Sequence, residues 1–494
     1  MSSVKKITAA YSLATKTLKG RLIAPYQREG VGWLLMREMS NSGPKGGFLC
    51  DEMGLGKTVQ MISTILGNPD KRTLVIVPKS IVTQWAEEID HFAPHLKVLI
   101  HDGPNRTTDP KEFLKYHVVI SPYSIMVDKG KPRGEPTIMH TLTWGRIIID
   151  EGHEIRNAKS KISSSVRNLK AGIKWVVTGT PVYNSIKDFV TLCDFIGIPK
   201  SHVQGLTKKI QDTYVMRRTK EDVAKFNTRL KLPPCDFENI EMEMYPEERD
   251  FYQEVHTDSS NFVKEVFRSG NLAMHTMHIL ECLLRCRQAM IHPQLVVDGR
   301  AKKEEVDPDI WDGRSKKMET LLNCINEHPK EKTLVFSQFI GEMNIVHEMI
   351  AQAGFRVFRI DGSVSKEERL KQIQTFRKAE NGIFLIQIKA GGQGLNLQEA
   401  TRVYITSPAW NPATELQAIG RSHRTGQTKK VFVKKLIYAG EDNLPSVEQS
   451  IMSLQGHKSQ VCAEVLNDPR LITQFPTKAK GNITIHDIKK LFSV

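Results

Sequence analysis

The chain is poor in cysteine, short of acid and without any long apolar run. Its seven cysteines are scattered through 494 residues and odd in number, which argues against a disulfide framework and suits a reducing compartment. No C-x-x-C pair occurs. Cys282 and Cys286, spaced C-x-x-x-C within a helical pattern, read as core rather than as half of a zinc site. No stretch reaches the roughly 18 apolar residues of a membrane span, and Met1 to Gly20 has no signal-peptide core. The expectation is a protein with no membrane partner, kept in the compartment where it is made or in the nucleus. Low-complexity tracts and solenoid-length repeats are also missing.

What is present is a folded composition, 40% hydrophobic and 25% charged. The length exceeds what one core serves and predicts two large lobes. Lys and Arg number 70 against 55 Asp and Glu, a net charge of +15. Such a balance favours a polyanionic partner such as nucleic acid.

Apolar, β-branched runs alternate with helical patterns twice over. "TLVIVP" (Thr73 to Pro78), "HVVIS" (His117 to Ser121), "GRIIID" (Gly145 to Asp150) and "KWVVTG" (Lys174 to Gly179) read as parallel strands buried on both faces. Between them "SIVTQWAEEIDHF" puts Ile81, Trp85 and Ile89 on one helical stripe, with Ser80 as N-cap. A helical stretch follows Leu232 and runs through His292. The rhythm then restarts with "TLVFSQ" (Thr333 to Gln338), "FRVFRID" (Phe355 to Asp361), "IFLIQ" (Ile383 to Gln387) and "RVYITS" (Arg402 to Ser407). Two α/β doubly wound lobes are expected, with ligands beyond the carboxyl ends of their strands and chemistry in the cleft between them. Pro233 and Pro234 in "LKLPPCDFENIEMEM" (Leu230 to Met244) mark the boundary.

"CDEMGLGKTVQMI" (Cys50 to Ile62) lacks the first glycine of a strict P-loop, Asp51 standing in its place. Gly54 and Gly56 still allow the backbone to aim N–H groups inward at a phosphate. Lys57 can reach the β and γ phosphates, and the Thr58 hydroxyl can ligate Mg²⁺. "RIIIDEGHEIRN" (Arg146 to Asn157) supplies acids at a strand end. There Asp150 would hold Mg²⁺ through water and Glu151 would orient and deprotonate the attacking water. "VVTGTPVYNS" offers Thr178 and Thr180 as small hydroxyl residues linking the acids to a nucleic-acid surface. "IKAGGQGLNLQ" (Ile388 to Gln398) lets a phosphate backbone come close. In "AWNPATELQAIGRSHRTGQ" (Ala409 to Gln427), Asn411 is an N-cap and Pro412 a first helical residue. A helix running through Gln417, Arg421 and Arg424 would place all three on one face, the arginines acting as fingers on a phosphate site.

Taken in this order, the set resembles the superfamily two helicases, and within them the Swi/Snf-type DNA translocases. The resemblance covers the chain from about residue 20 to 440 and adds "APYQREGVGWL" (Ala24 to Leu34), "VMRRTKEDV" (Val215 to Val223), "LLRCRQAMIHPQL" (Leu283 to Leu295) and "RIDGSVSKEER" (Arg359 to Arg369). It implies an ATP-driven, Mg²⁺-dependent, monomeric motor gripping double-stranded DNA across two RecA-like lobes with helical insertions. By residue, it implies that Gln27 reads adenine, with Gly54, Gly56, Lys57, Thr58 and Gln417 around the nucleotide. Asp150 and Glu151 serve metal and water, and Arg421 and Arg424 the γ phosphate. Ser80, Thr178, Gly394 and Asn396 lie near the DNA track. The implied division is an N-terminal segment 1–23, an ATP-binding lobe 24–231 with a helical protrusion, a linker and protrusion 232–310, a C-terminal lobe 311–460 and a helical tail 461–494.

"DEGHEIRN" and "ITIHDIKKLF" (Ile483 to Phe492) are most similar to the helicase-like transcription factor branch, whose members carry a zinc-binding RING that the absence of C-x-x-C pairs rules out here. Tyr183 stands where the family has Gln, and "SPAWNP" (Ser407 to Pro412) lacks the leading Asp and first Trp. So bare a motor suits a cellular nucleus or a large DNA virus. Its partners would be DNA-bound transcription, repair or nucleosome complexes. A strand-separating DNA or RNA helicase and an ATP-gated clamp with little turnover are the competing readings.

Overall fold

The computed structural model describes residues 3–22, 24–127, 136–181, 185–203, 207–225, 232–270, 272–391, 395–424, 426–441, 444–466, 468 and 492. The chain forms two compact units, Met1–Lys231 with Gln460–Leu471, and Leu232–Ser459 with Ile472–Val494. Each is a parallel α/β lobe of the RecA-like kind.

The first unit contains strands β1 (Gly46–Leu49), β2 (Thr73–Val77), β3 (Val98–Ile100), β4 (Val118–Pro122), β5 (Trp144–Asp150), β6 (Ala171–Val177) and β7 (Val215–Met216). They lie in the order β3-β4-β2-β5-β6-β1-β7, and all pairs are parallel. The central strands are buried along nearly their whole length, which is why they read as unbroken Val/Ile runs. Val177 pairs with both Leu49 and Asp150, so β1, β5 and β6 end level with one another. Whatever follows each strand therefore emerges at the same edge.

The helix Lys57–Gly67 packs along this sheet with every residue from Val59 to Gly67 buried. Helices Ser3–Thr17 and Pro25–Glu38 cover it, placing Ala10, Ala14, Leu34 and Leu35 in its apolar cluster. Beneath them a charged group is fully enclosed. Arg146 donates to both oxygens of Glu38 at 2.6 Å, and Trp175 and Asn68 donate to the same carboxylate at 2.9 and 2.8 Å. A buried pair with its remaining valences satisfied fixes which surfaces meet rather than adding much net stability.

Strands β8 (Cys235–Met242), β9 (Lys332–Ser337), β10 (Val357–Ile360), β11 (Gly382–Gln387), β12 (Arg402–Ile405) and β13 (Val431–Tyr438) build the second unit, in the order β10-β11-β9-β12-β13-β8 and again all parallel. Helices Pro246–Ser269, Leu272–Ala289 and Gln294–Glu304 follow β8. Cys286 is buried there, with Ser259 3.6 Å away.

Three expectations need correction. The polar alternation after Pro234 is an edge strand, β8, paired over its full length with β13, not only a linker; its outward positions face water, hence the polarity. Ser80 is no helix cap. Pro78 leads into a 3₁₀ turn, Lys79–Ile81, the helix starts at Val82 after Ile81, and Ser80 is exposed. Finally, the helix from Pro412 stops at Ile419, with Gly420 as its C-cap, so Arg421 and Arg424 lie in the turns beyond it. Ser422 donates to the Ala400 carbonyl at 2.5 Å and Gln427 to that of Gln398 at 2.8 Å, drawing the chain away from the helix axis. Asn411 does cap that helix, accepting from the Ala413 amide at 2.7 Å.

One buried and one half-buried histidine predict an acid-sensitive fold. His101, just beyond β3, is fully enclosed edge-on to Phe113, and neither ring nitrogen has a hydrogen-bond partner among the described residues. Burial, aided by the Arg106 charge, brings it down to about 4 from the ordinary 6.5. His292, against Trp311, is lowered by burial to about 4 as well. Folded chains keep both rings neutral while unfolded chains take up protons below 6.5, so stability falls as pH drops from 6.5 to about 4. Urea unfolding over this range should show that loss, and His101→Leu should flatten it.

Candidate functional site

The carboxyl edge of the first sheet gathers the residues that the motifs nominate. From β1 the chain passes through Gly54 (φ 88°) and Gly56 (φ 72°), left-handed conformations that suit glycine, before Lys57 opens the helix. A Cβ on Gly56 would sit 2.6 Å from Gln27 Nε2, so this loop must be bare of side chain where it passes Gln27. Lys57 Nζ donates to the Asp51 carbonyl at 2.9 Å across the loop. Thr58 is half-buried on the first turn. Gln27, 5% exposed, holds the start of its own helix by accepting from the Ala24 amide at 3.4 Å. The loop is thus a glycine turn leading into a helix N-terminus with Lys57 at its head, a form that fits a nucleotide phosphate.

Asp150 and Glu151 leave the end of β5 at the same edge. Trp85 Nε1 and the Glu151 amide each donate to the Asp150 carboxylate at 2.8 Å, and the Tyr123 hydroxyl donates to the Asp150 carbonyl at 2.8 Å. Burial, then the neighbouring Glu151 charge, push the Asp150 carboxyl up to about 6, against the pull of the Trp85 N–H, the Lys57 ammonium and the Glu151 amide. A carboxyl raised in this way gains from a cation, so Asp150 fits a Mg²⁺ ligand. Glu151 sits at φ 50°, ψ 54°, a conformation that costs a non-glycine residue of order 1–3 kcal/mol. Its carboxylate lies 3.3 Å from His153 Nδ1.

The other predicted residues fall as follows. Ser80 is exposed at the carboxyl end of β2. Thr178 is fully buried, its hydroxyl donating to the Thr180 carbonyl at 3.2 Å. In the second unit, Arg421 and Arg424 reach the same carbonyl, that of Leu395, at 3.4 and 3.5 Å, although no helix aligns them. Gln417 is half-buried on the preceding helix. The Asn396 amide oxygen is buried with no hydrogen-bond partner among the described residues, an acceptor awaiting a donor. Gly394 and Tyr183 lie outside the described residues.

Family models match across both units, the SNF2-related domain over residues 26–295 and the helicase conserved C-terminal domain over 316–426. The chain belongs to the SNF2-related family. Similar proteins include the DNA repair protein RAD5B of Arabidopsis thaliana, 28% identical with 86% of this chain and 46% of the relative covered. The human helicase-like transcription factor is 26% identical, with 80% and 50% covered. This SNF2-related chain spans about half the length of these curated relatives. A solved Sulfolobus solfataricus SWI2/SNF2 ATPase core in complex with dsDNA is 26% identical, with 96% of this chain and 97% of that chain covered and a TM-score of 0.40.

Sequence reasoning missed what holds this SNF2-related P-loop in place. "VMRRTKEDV" lies along it, and three consecutive loop residues are bound by it. Arg217 donates to the Cys50 carbonyl at 2.8 Å, Arg218 pairs with both carboxylate oxygens of Asp51, and the Lys220 amide donates to Glu52 at 2.9 Å. Gln60, one turn into the helix, donates to Asp51 at 3.1 Å and accepts from Arg218 at 2.7 Å. The signal was Asp51 itself. An acid in place of the expected glycine, ahead of an apolar helix, needs a buried cation, and the tandem arginines were the available ones. Arg218→Ala should cost about 3–5 kcal/mol in urea unfolding, because Asp51 is then left buried and unpaired. Adding Asp51→Asn to that variant should recover part of the loss.

Proposed function

We propose that this SNF2-related chain is an ATP-dependent motor on double-stranded DNA that uses ATP turnover to move along the duplex and displace or remodel bound proteins. The observation that carries the reading is the common edge where β1 and β5 end level. It sets Lys57 and the glycine-rich loop beside Asp150 and Glu151. Its relatives, a DNA repair protein and a helicase-like transcription factor, point to DNA as the track. The net charge of +15 suits it.

In this reading the loop amides and Lys57 hold the β and γ phosphates of ATP, and Gln27 reads the adenine edge. Mg²⁺, when bound by Thr58 and by Asp150 through water, offsets phosphate charge. Glu151 takes the proton of the attacking water. Arg421 and Arg424, with Gln417, stabilise charge on the γ phosphate in the transition state. Ser80, Gly394 and Asn396 contact the DNA backbone, and the motor works as a monomer on transcription, repair or nucleosome complexes in the nucleus or another DNA-containing compartment.

ATP hydrolysis measured alone, with duplex DNA, with single-stranded DNA and with RNA tests the reading. Duplex DNA should stimulate most; stimulation mainly by single strands or RNA would indicate a strand-separating helicase, and no turnover a clamp. Lys57→Ala should abolish turnover, and Glu151→Gln should retain ATP binding while stopping hydrolysis. Arg424→Ala should slow hydrolysis with nucleotide affinity nearly unchanged; a pure affinity loss would remove it from the transition state. DNA affinity should fall linearly on a log–log plot against salt, the slope counting phosphate contacts.

A further inference from the structure

The P-loop is held by a residue from the far end of the chain. The segment Gln460–Leu471 belongs to the first unit although the residues before it belong to the second. Three kinds of contact seat it there. Cys462, Val465 and Leu466 join the apolar cluster that contains Cys50, Phe195 and Ile210. Gln211 Nε2 donates to the carbonyls of Glu464 and Val465 at 2.5 and 2.7 Å, engaging the open end of the helix Val447–Leu466. Asp468, its side chain 3% exposed, then pairs with Arg217 at 3.3 Å.

Arg217 is the point where this segment meets the nucleotide loop. Its Nη1 donates to the Cys50 carbonyl at 2.8 Å and lies 3.4 Å from the Gly179 carbonyl, while Nε and Nη2 face Asp468 Oδ2 at 3.4 and 3.3 Å. One guanidinium thus joins the exit of β1, the turn after β6 and the chain's terminal segment. Planar and permanently charged, it keeps this orientation only while each side of the fork has a partner. We propose that Asp468 is a positioning residue for the P-loop, acting through Arg217 to set the backbone at Cys50 and hence the loop that follows. This rests on the nucleotide-binding reading of that loop. It adds that release of the terminal segment loosens the loop.

Hydrogen exchange of the nucleotide-free full chain tests the proposal, with ATP kinetics beside it. The Cys50 amide donates to the Met216 carbonyl at 2.7 Å and the Glu52 amide to that of Arg218 at 2.8 Å, and these bonds report the loop directly. In Asp468→Asn, peptides spanning residues 50–56 should exchange about tenfold faster or more, with β2 and β4 unchanged. KM for ATP should rise by more than kcat falls, and Asp468→Glu should restore both. Gln211→Ala, which leaves the ion pair intact and loosens only the helix end, should shift exchange in the same direction by less and decides the matter if Asp468→Asn does not fold. A lower unfolding midpoint with wild-type exchange at residues 50–56 and wild-type KM would overturn the proposal. Unaltered ATP binding in Lys57→Ala would instead remove the nucleotide reading and leave the exchange result standing.

Discussion

The buried carboxylate of Asp51 governs the arrangement of the first lobe's edge. It stands where a simple phosphate loop has glycine, and an acid enclosed without water must be answered in full. Arg218 covers both oxygens, Gln60 adds a third donor, and the Lys57 ammonium rests on the same residue's carbonyl. The partners come from two elements, Arg218 from the segment after β7 and Gln60 and Lys57 from the helix that follows the loop. The loop can take its shape only when the strand, the helix and the distant arginine segment are assembled together. A stricter glycine loop would be locally determined; this one is determined by the lobe.

Level strand ends do the remaining work of assembly. Parallel strands in register deliver their following loops to one edge, and here that edge receives the glycine-rich loop from β1, the acids from β5 and the Thr178 turn from β6. Trp85, from the helix after β2, reaches across to Asp150. Glu151, in a left-handed conformation, brings its carboxylate to 3.3 Å from His153 Nδ1, and its charge still helps raise the neighbouring Asp150 carboxyl.

The second lobe repeats the parallel plan with a different means of fixing its chemistry. Arg421 and Arg424 are brought together by the Leu395 carbonyl and by the side chains of Ser422 and Gln427, which pin the turns after Gly420. Asn396, nearby in the chain, has a buried amide oxygen lacking a donor among the described residues. Incomplete polar groups are rare in the interior and collect where a ligand completes them.

Sequence alone determined the strand rhythm and the two lobes, because burial on both faces writes continuous Val/Ile runs, and it placed the glycine-rich loop and the Asp150–Glu151 pair at strand ends. The cap at Asn411 was legible for the same local reason. Only the tertiary structure decided that the segment after Pro234 is an edge strand, since half-exposed alternation looks like a linker until its partner β13 is known. It likewise decided that the helix before Arg421 ends at Ile419 with Gly420 as its C-cap, and that Thr178 is buried. The loop's own support was illegible for a deeper reason. Arg217, Arg218 and Asp468 lie far along the chain from Asp51 and carry no periodicity that marks a partner. A buried charge declares that it needs an opposite charge, but which one it finds depends on the three-dimensional packing of the lobe.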